Sequence, residues 1–332
     1  MNVGAAPLLV GAAPLLVEKG EPRAEIIIDE NPSRTTRLAA AELQHYFEKI
    51  SGAKLVIQTK PTPDVPLQIY VGQSSHTEKL GISAEGLEAG AYRIVSGDHW
   101  LVLIGDDSEF TPIPPFAQNN GDIPRAREEW QKIAGAPYGL PNAGLYKNRL
   151  RLPGDLGKPE GATTEKNETL EIWGLDERGS FNGVCGLLRR LGVRWYLPGE
   201  LGEVVPTLNT IELPTIDETV RPDFPLRQFN FRFGTAGVDT SMWAMHLGTR
   251  QNEKLQIAHG LSNMTNNEAV FAAHPEWFAL YGGKRDFKPG NSKCQLCYSN
   301  DELFRETVRY ARAQLDQFQL ESVSIMPPDG YT

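Results

Sequence analysis

The chain has 332 residues, 40% of them hydrophobic and 23% charged, with a formal net charge of −9 at pH 7. That length holds about two globular domains whose cores need no staples. The acidic balance argues against a nucleic-acid or anionic-membrane partner, because phosphate binding needs a basic face; a neutral, heavily hydroxylated ligand suits it better.

The N-terminus repeats Gly4-Ala-Ala-Pro-Leu-Leu-Val10 as Gly11-Ala-Ala-Pro-Leu-Leu-Val17. Two copies are too few for a solenoid. The segment lacks the basic start and unbroken apolar run of a signal peptide, and no stretch approaches the ~20 apolar residues that span a bilayer. Leu15–Glu18 and Arg23–Asp29 flank a Lys19-Gly20 turn and read as a hairpin. A helix follows over about Thr35 to Ile50, with Ala39, Leu43, Tyr46, Phe47 and Ile50 on one face and Ser51-Gly52 as its stop. Short strands are expected at Lys54–Ile57, Leu67–Val71, Tyr92–Val95 and Trp100–Ile104.

From about Asp106 to Lys166 many Pro, Gly and Asn residues break the rhythm. This stretch reads as an insertion with one short helix near Pro124–Ile133, the kind of long loop that is usually functional or mobile. The core resumes with strand Thr169–Trp173, a glycine turn at 174–180, a helix ending near Leu191, and Val193–Tyr196. Gly174 and Gly179 have phosphate-loop spacing, but the lysine that reaches the phosphates is absent. Gly179 and Gly183 are better read as letting the helix sit close to the sheet. The order suggests an α+β domain, a mixed sheet with helices on one face.

Three cysteines make no disulfide framework. Cys185 lies in an apolar helical stretch and reads as a buried small hydrophobe. Cys294 and Cys297 form a Cys-x-x-Cys pair, but no second pair supplies the four ligands of structural zinc. No metal and no cofactor are expected.

Several segments resemble known families. Ala39-Ala-Ala-Glu-Leu-Gln-His-Tyr46 with Ile50-Ser-Gly-Ala53, Ile69-Tyr-Val-Gly72, Leu103-Ile-Gly-Asp106 and Arg178–Pro198 are similar to the domain that precedes the barrel in α-glucuronidases and β-hexosaminidases. His274-Pro-Glu-Trp-Phe-Ala-Leu280, Gly283-Lys-Arg285, Gln295–Asn300 and Ser322–Gly330 resemble domain of unknown function 4838. That family includes glycoside hydrolase family 163, endo-acting β-N-acetylglucosaminidases on N-glycans. Residues 1–17 read from their own repeat as a repeat or leader remnant; the resemblance implies a hexosaminidase domain 2-like α+β domain over 18–220. Residues 221–332 would be the first part of a (β/α)8 TIM-type barrel. Such a barrel needs roughly 250 residues, so only its opening part is expected here. A periplasmic or extracellular location and a glycan substrate follow from the same resemblance.

In the barrel segment, Leu226–Phe233 reads as a first strand with Gln228, Asn230 and Arg232 on its polar face. Arg232 would meet either a sugar or a structural carboxylate. Trp243, His246 and Arg250 line a sugar subsite or serve packing. His259 ends a second strand, Lys254–His259, as a ligand contact or a structural histidine. Ser299–Glu302 reads as a capping box, opening a helix with Phe304, Val308, Ala311, Leu315 and Phe318 on its core face. After strand Ser322–Met326, Asp329 sits where barrel catalytic groups sit, or simply forms an Asp-Gly turn. The family implies a substrate-assisted, metal-free route on β-linked N-acetylhexosamine, with Asp329 the candidate catalytic or substrate-binding acid and the main catalytic pair beyond Thr332. An α-glucuronidase-like hydrolase and a non-catalytic carbohydrate-binding protein are the alternatives. This stretch alone is expected to be inactive.

Overall fold

The computed structural model describes residues 13–145, 149–228, 237–250, 258–285, 287 and 295–327. Arg232, Cys294 and Asp329, with most of the expected strands 226–233 and 254–259, lie outside the described residues. Contacts divide the chain into two compact units, residues 1–110 with 150–251 and residues 111–149 with 252–332. The helices of nine or more residues are α1 (Arg34–Ser51), α2 (Ile123–Ala134), α3 (Gly179–Arg190), α4 (Val238–His246) and α5 (Asp301–Phe318).

The first unit is built on a mixed six-stranded sheet. Its strands are β1 (Ala24–Ile27), β2 (Ile57–Gln58), β3 (Leu67–Val71), β4 (Tyr92–Ser96), β5 (Trp100–Gly105) and β6 (Asp217–Val220), in the order β6-β4-β5-β3-β1-β2. The pairs β1/β2, β1/β3 and β3/β5 are parallel, and β4 runs antiparallel to both β5 and β6. Alternation along β5 splits its side chains: Leu101 and Leu103 join the core shared with α1 and α3, while Val102 and Ile104 pack with Ile82, Leu87 and Ala91 on the other face. The expected mixed sheet with helices on one face is therefore present.

Helix α1 forms where its stripe predicts. Ala39, Leu43, Tyr46, Phe47 and Ile50 are all at most 2% exposed. Ser33 caps the start, accepting from the Thr36 amide at 3.0 Å, and Gly52 ends the helix with φ of 78°. Lys54–Leu55, expected in a strand, stay outside the ladder, which pairs only Ile57–Gln58. The Lys19-Gly20 turn joins Leu15–Glu18 to Glu21–Pro22, and Ala24–Ile27 departs into the main sheet instead of continuing that hairpin. The expected insertion contains a strand the sequence did not announce, Arg149–Pro153, paired with Thr169–Trp173.

The turn before α3 is a structural corner. A Cβ on Gly179 would lie 2.5 Å from the Asp106 amide nitrogen and 2.6 Å from Gly105 Cα, so helix and strand touch backbone to backbone. Gly183 meets Tyr92 only at an ordinary 3.6 Å; of the two expected close-approach glycines, only Gly179 is one. Asp107, just past β5, accepts from the Ser180 amide at 2.9 Å and the Thr36 hydroxyl at 3.0 Å. Burial pushes its carboxyl up to about 6, against the pull of those hydrogen bonds.

In the second unit, Trp130, Tyr138, Trp277, Phe278, Tyr310 and Phe318 are core residues. Tyr138 and Tyr310 meet edge to face at 5.0 Å. The α5 core face is only partly the expected one: Phe318 is buried as expected, and Ala311 and Leu315 are half-buried. Leu303, Tyr310, Gln314 and Phe318 are buried, whereas Phe304 is 67% exposed and Val308 37%. The helix carries two apolar stripes, and periodicity cannot say which is covered. Its cap also shifts by one residue: Asn300, not Ser299, accepts from the Leu303 amide at 2.9 Å. The expected strand 322–326 forms no ladder among the described residues. Ser324 instead meets Ala258 through its side chain, accepting from the Ala258 amide at 3.3 Å. A Cβ on Gly260 would overlap the Ser324 carbonyl oxygen at 1.8 Å, so these two segments run in close contact. No closed barrel is seen among the described residues.

Two substitutions test the corner. Gly179→Ala is expected to cost about 1–3 kcal/mol by overpacking, and Gly183→Ala to be neutral or slightly stabilising through helix propensity; thermal melts of both variants check the contrast. For Asp107 the folded-state value lies above the ordinary 3.8, so the protonated form favours folding and its contribution fades as pH rises through about 6. Melting temperature should fall by a few degrees between pH 5 and 7, and Asp107→Asn should flatten that slope.

Candidate functional site

The first unit contains a cleft of about 210 Å³ whose lining comes from three separate stretches of chain. Helix α1 contributes His45 and Lys49, one turn apart on one face. The short antiparallel pair Arg194–Trp195 and Glu203–Val204 sets Trp195 directly opposite Glu203. Between them, a tight loop with Gly199 at φ of 76° places Glu200 on the rim, and the Tyr196 amide closes it by donating to the Gly202 carbonyl at 2.7 Å. Helix α4 lays Asp239, Met242, Trp243 and His246 along one stripe at i, i+3, i+4 and i+7.

Beneath the cleft the polar groups are already paired. The Trp195 indole N–H donates to the Tyr46 hydroxyl at 2.6 Å, and Tyr46 in turn donates to Glu203, which also accepts from Lys49. Burial pushes the Glu203 carboxyl up, but the hydrogen bonds from Lys49 and Tyr46 outweigh it and hold the group below its ordinary value. Burial also raises the Tyr46 phenol, which therefore stays a donor at neutral pH. His246 stacks on Trp195 with ring centroids 4.4 Å apart and meets Glu42 at 2.7 Å through Nε2. The Trp243 indole N–H donates to the Trp195 carbonyl at 3.2 Å. Indole edges form the floor and carboxylates the rim, an arrangement that suits a ligand with an apolar face and many hydroxyl donors.

Of the residues singled out in the sequence, Trp243 and His246 belong to this cleft. Arg250 does not: it is ion-paired with Glu177, its Nε 2.8 Å from that carboxylate. His259 belongs to the second unit, where its Nδ1 lies 2.7 Å from the Pro327 carbonyl oxygen. Arg232 and Asp329 lie outside the described residues. Sequence reading missed His45, Lys49, Glu200 and Glu203. The i, i+4 spacing of the first two is visible along α1, but nothing local says which partner faces them.

The glycine turn 174–180 holds an acid where a phosphate loop would hold a phosphate. Asp176 is turned inward, accepting from the Trp173 and Phe110 amides at 2.7 and 2.9 Å and from Arg34 at 2.6 Å. Cys185 is fully buried in α3, and burial pushes its thiol up. In the second unit His274, Glu276 and Glu302 bring donor atoms within 4.8 Å of one another. His274 already meets Glu276 at 3.2 Å and stacks on Trp277 at 3.9 Å, and Glu302 lies against the Trp277 indole N–H, so ordinary side-chain contacts account for that grouping.

Residues 197–330 match the family model described as domain of unknown function (DUF4838), so the expected likeness to that family holds over this segment. A solved structure of a family GH115 4-O-methyl-α-glucuronidase with specificity for decorated arabinogalactans is similar to the chain at 17% identity and a TM-score of 0.36. The likeness covers 64% of this chain and 19% of that one, so the chain spans about a fifth of that protein's length. No curated protein matches the chain. Among the described residues, no helix is long and apolar enough to cross a membrane.

Removing the central hydroxyl tests the network under the cleft. Tyr46→Phe leaves the Trp195 N–H without its acceptor and Glu203 with one donor fewer. It is expected to cost about 1–3 kcal/mol, read as a lower denaturant midpoint with an unchanged m-value.

Proposed function

We propose that the chain is part of a carbohydrate-active protein of the glycoside hydrolase type, and that the cleft on α1 and α4 binds a sugar. The observation that carries this reading is the cleft itself, with indole edges and the paired Glu203 below and the exposed carboxylates of Glu200 and Asp239 above. Sugars present an apolar C–H face and a belt of hydroxyl donors, and this lining answers both. Its volume is below the ~300–1,000 Å³ of drug-sized sites and corresponds to a single ring rather than a chain of them. The match over 197–330 and the motifs of the first domain support the same class.

The finer reading assigns residues 18–220 to an α+β accessory domain and 221–332 to the opening part of a β/α barrel. The contact of 258–260 with 324–327 supports that barrel, since consecutive barrel strands lie side by side. On this reading the whole protein hydrolyses a β-linked N-acetylhexosamine glycan by a substrate-assisted route. Asp329 is then a catalytic or substrate-binding acid, with Arg232 and His259 as substrate contacts. An α-glucuronidase-like reaction is the second reading, kept open because both families share the helix motif at 39–53.

Sugar binding is tested by titrating the 332-residue chain with N-acetylglucosamine, galactose and glucuronic acid while following tryptophan fluorescence. Saturable binding is expected for at least one. Trp243→Ala should weaken it about tenfold or more, the equivalent of ~1.4 kcal/mol, with an unchanged far-UV spectrum. A chain that binds none of the three, or a Trp243→Ala variant that binds as well as the parent, would overturn the assignment.

A further inference from the structure

We infer that the cleft on α1 and α4 selects an uncharged sugar, a neutral hexose or an N-acetylhexosamine, and excludes a uronate. The inference rests on the sugar-binding reading and decides between its two substrate classes. With histidine counted as neutral, Glu200, Glu203 and Asp239 set three negative charges in the lining against the one positive charge of Lys49. That lysine's ammonium is already paired with Glu203, so its charge is largely offset before a ligand carboxylate arrives.

Recognition of a sugar carboxylate calls for a cation with free donors, best of all a guanidinium fork. Two guanidinium groups lie close by, and each is engaged with backbone carbonyls. Arg189 sits 6.0 Å from the Trp195 ring centre and donates to the His246 carbonyl at 3.0 Å. Arg194 donates to the Arg189 and Val193 carbonyls, each at 2.7 Å. Glu42, against His246, adds a further acid behind the floor. A bound uronate would therefore bring a fourth carboxylate beside three others, with Lys49, the lysine of the described lining, already paired to Glu203. Hydroxyls and an N-acetyl N–H are donors, and the rim carboxylates Glu200 and Asp239 accept from either. Trp243 offers the apolar edge that an acetyl methyl or a ring face needs.

The test uses the full chain with N-acetylglucosamine and methyl β-D-glucuronide as probes, titrated by calorimetry at low and at physiological salt. The neutral sugar is expected to bind about tenfold tighter than the uronate at low salt, with the gap narrowing as salt screens the rim. The double variant Glu200→Gln/Asp239→Asn should gain affinity for the uronate relative to the neutral sugar. Equal or tighter binding of the uronate, lost in Trp243→Ala, overturns the selectivity while leaving sugar binding intact. A preference that the double variant leaves unchanged overturns the electrostatic cause. Binding of neither sugar removes the sugar-binding reading, and this inference with it.

Discussion

One buried carboxylate anchors the first unit. The Asp176 side chain has no solvent exposure, and Arg34 meets it with two nitrogens while two backbone amides fill its remaining lone pairs. Those donors come from the first turn of α1, from the chain after β5 and from the end of the strand before α3. An acid in that position is tolerable only because every partner is present; removing one leaves an uncompensated charge in the interior. The Gly105–Gly179 contact and the Asp107 hydrogen bonds lie beside it, so three independent devices fix the same junction of helix and sheet.

What that junction secures is the placement of α3, and through it the cleft. Arg189, near the end of α3, holds the last carbonyl of α4, while Arg178 at its start reaches the Thr249 carbonyl at 2.7 Å. Arg227 adds a bond to the Gly248 carbonyl at 2.8 Å. Guanidinium groups directed at carbonyls, together with the burial of Trp243 and Met245 in the main core and the stacking of His246 on Trp195, thus set where α4 presents its face. The sheet carries no cleft residue of its own; it positions the helices that do.

Legibility in the sequence followed locality. Helix α1 was readable because its stripe, cap and terminal glycine agree within one segment. The stripe of α5 misled because the helix has two apolar faces, and the choice between them depends on Tyr310 and Gln314 finding a core elsewhere in the chain. The strand Arg149–Pro153 was hidden in proline- and glycine-rich surroundings, and its ladder comes from a partner sixteen or more residues later. The cleft was half visible. Trp243 and His246 announce a face by spacing, but the stripe of α1 places Tyr46 in the core, which is true of its ring and omits its hydroxyl. Glu200 and Glu203 gain meaning only once the hairpin register sets Glu203 opposite Trp195.

That dispersal bears on how the protein comes into being. Glu42 and His246 touch across 204 positions of sequence, and each half of the cleft is an unremarkable helix surface without the other. The loop-closure entropy of such contacts must be met before they return anything, so the cleft exists only once both ends of its unit are in place. A nascent chain can build the sheet, α1 and α3 before α4 has left the ribosome, yet it holds no binding surface until then. Ligand competence at this cleft is therefore a report on completed folding, and any molecule that occupies it draws the folding equilibrium toward the finished unit by mass action.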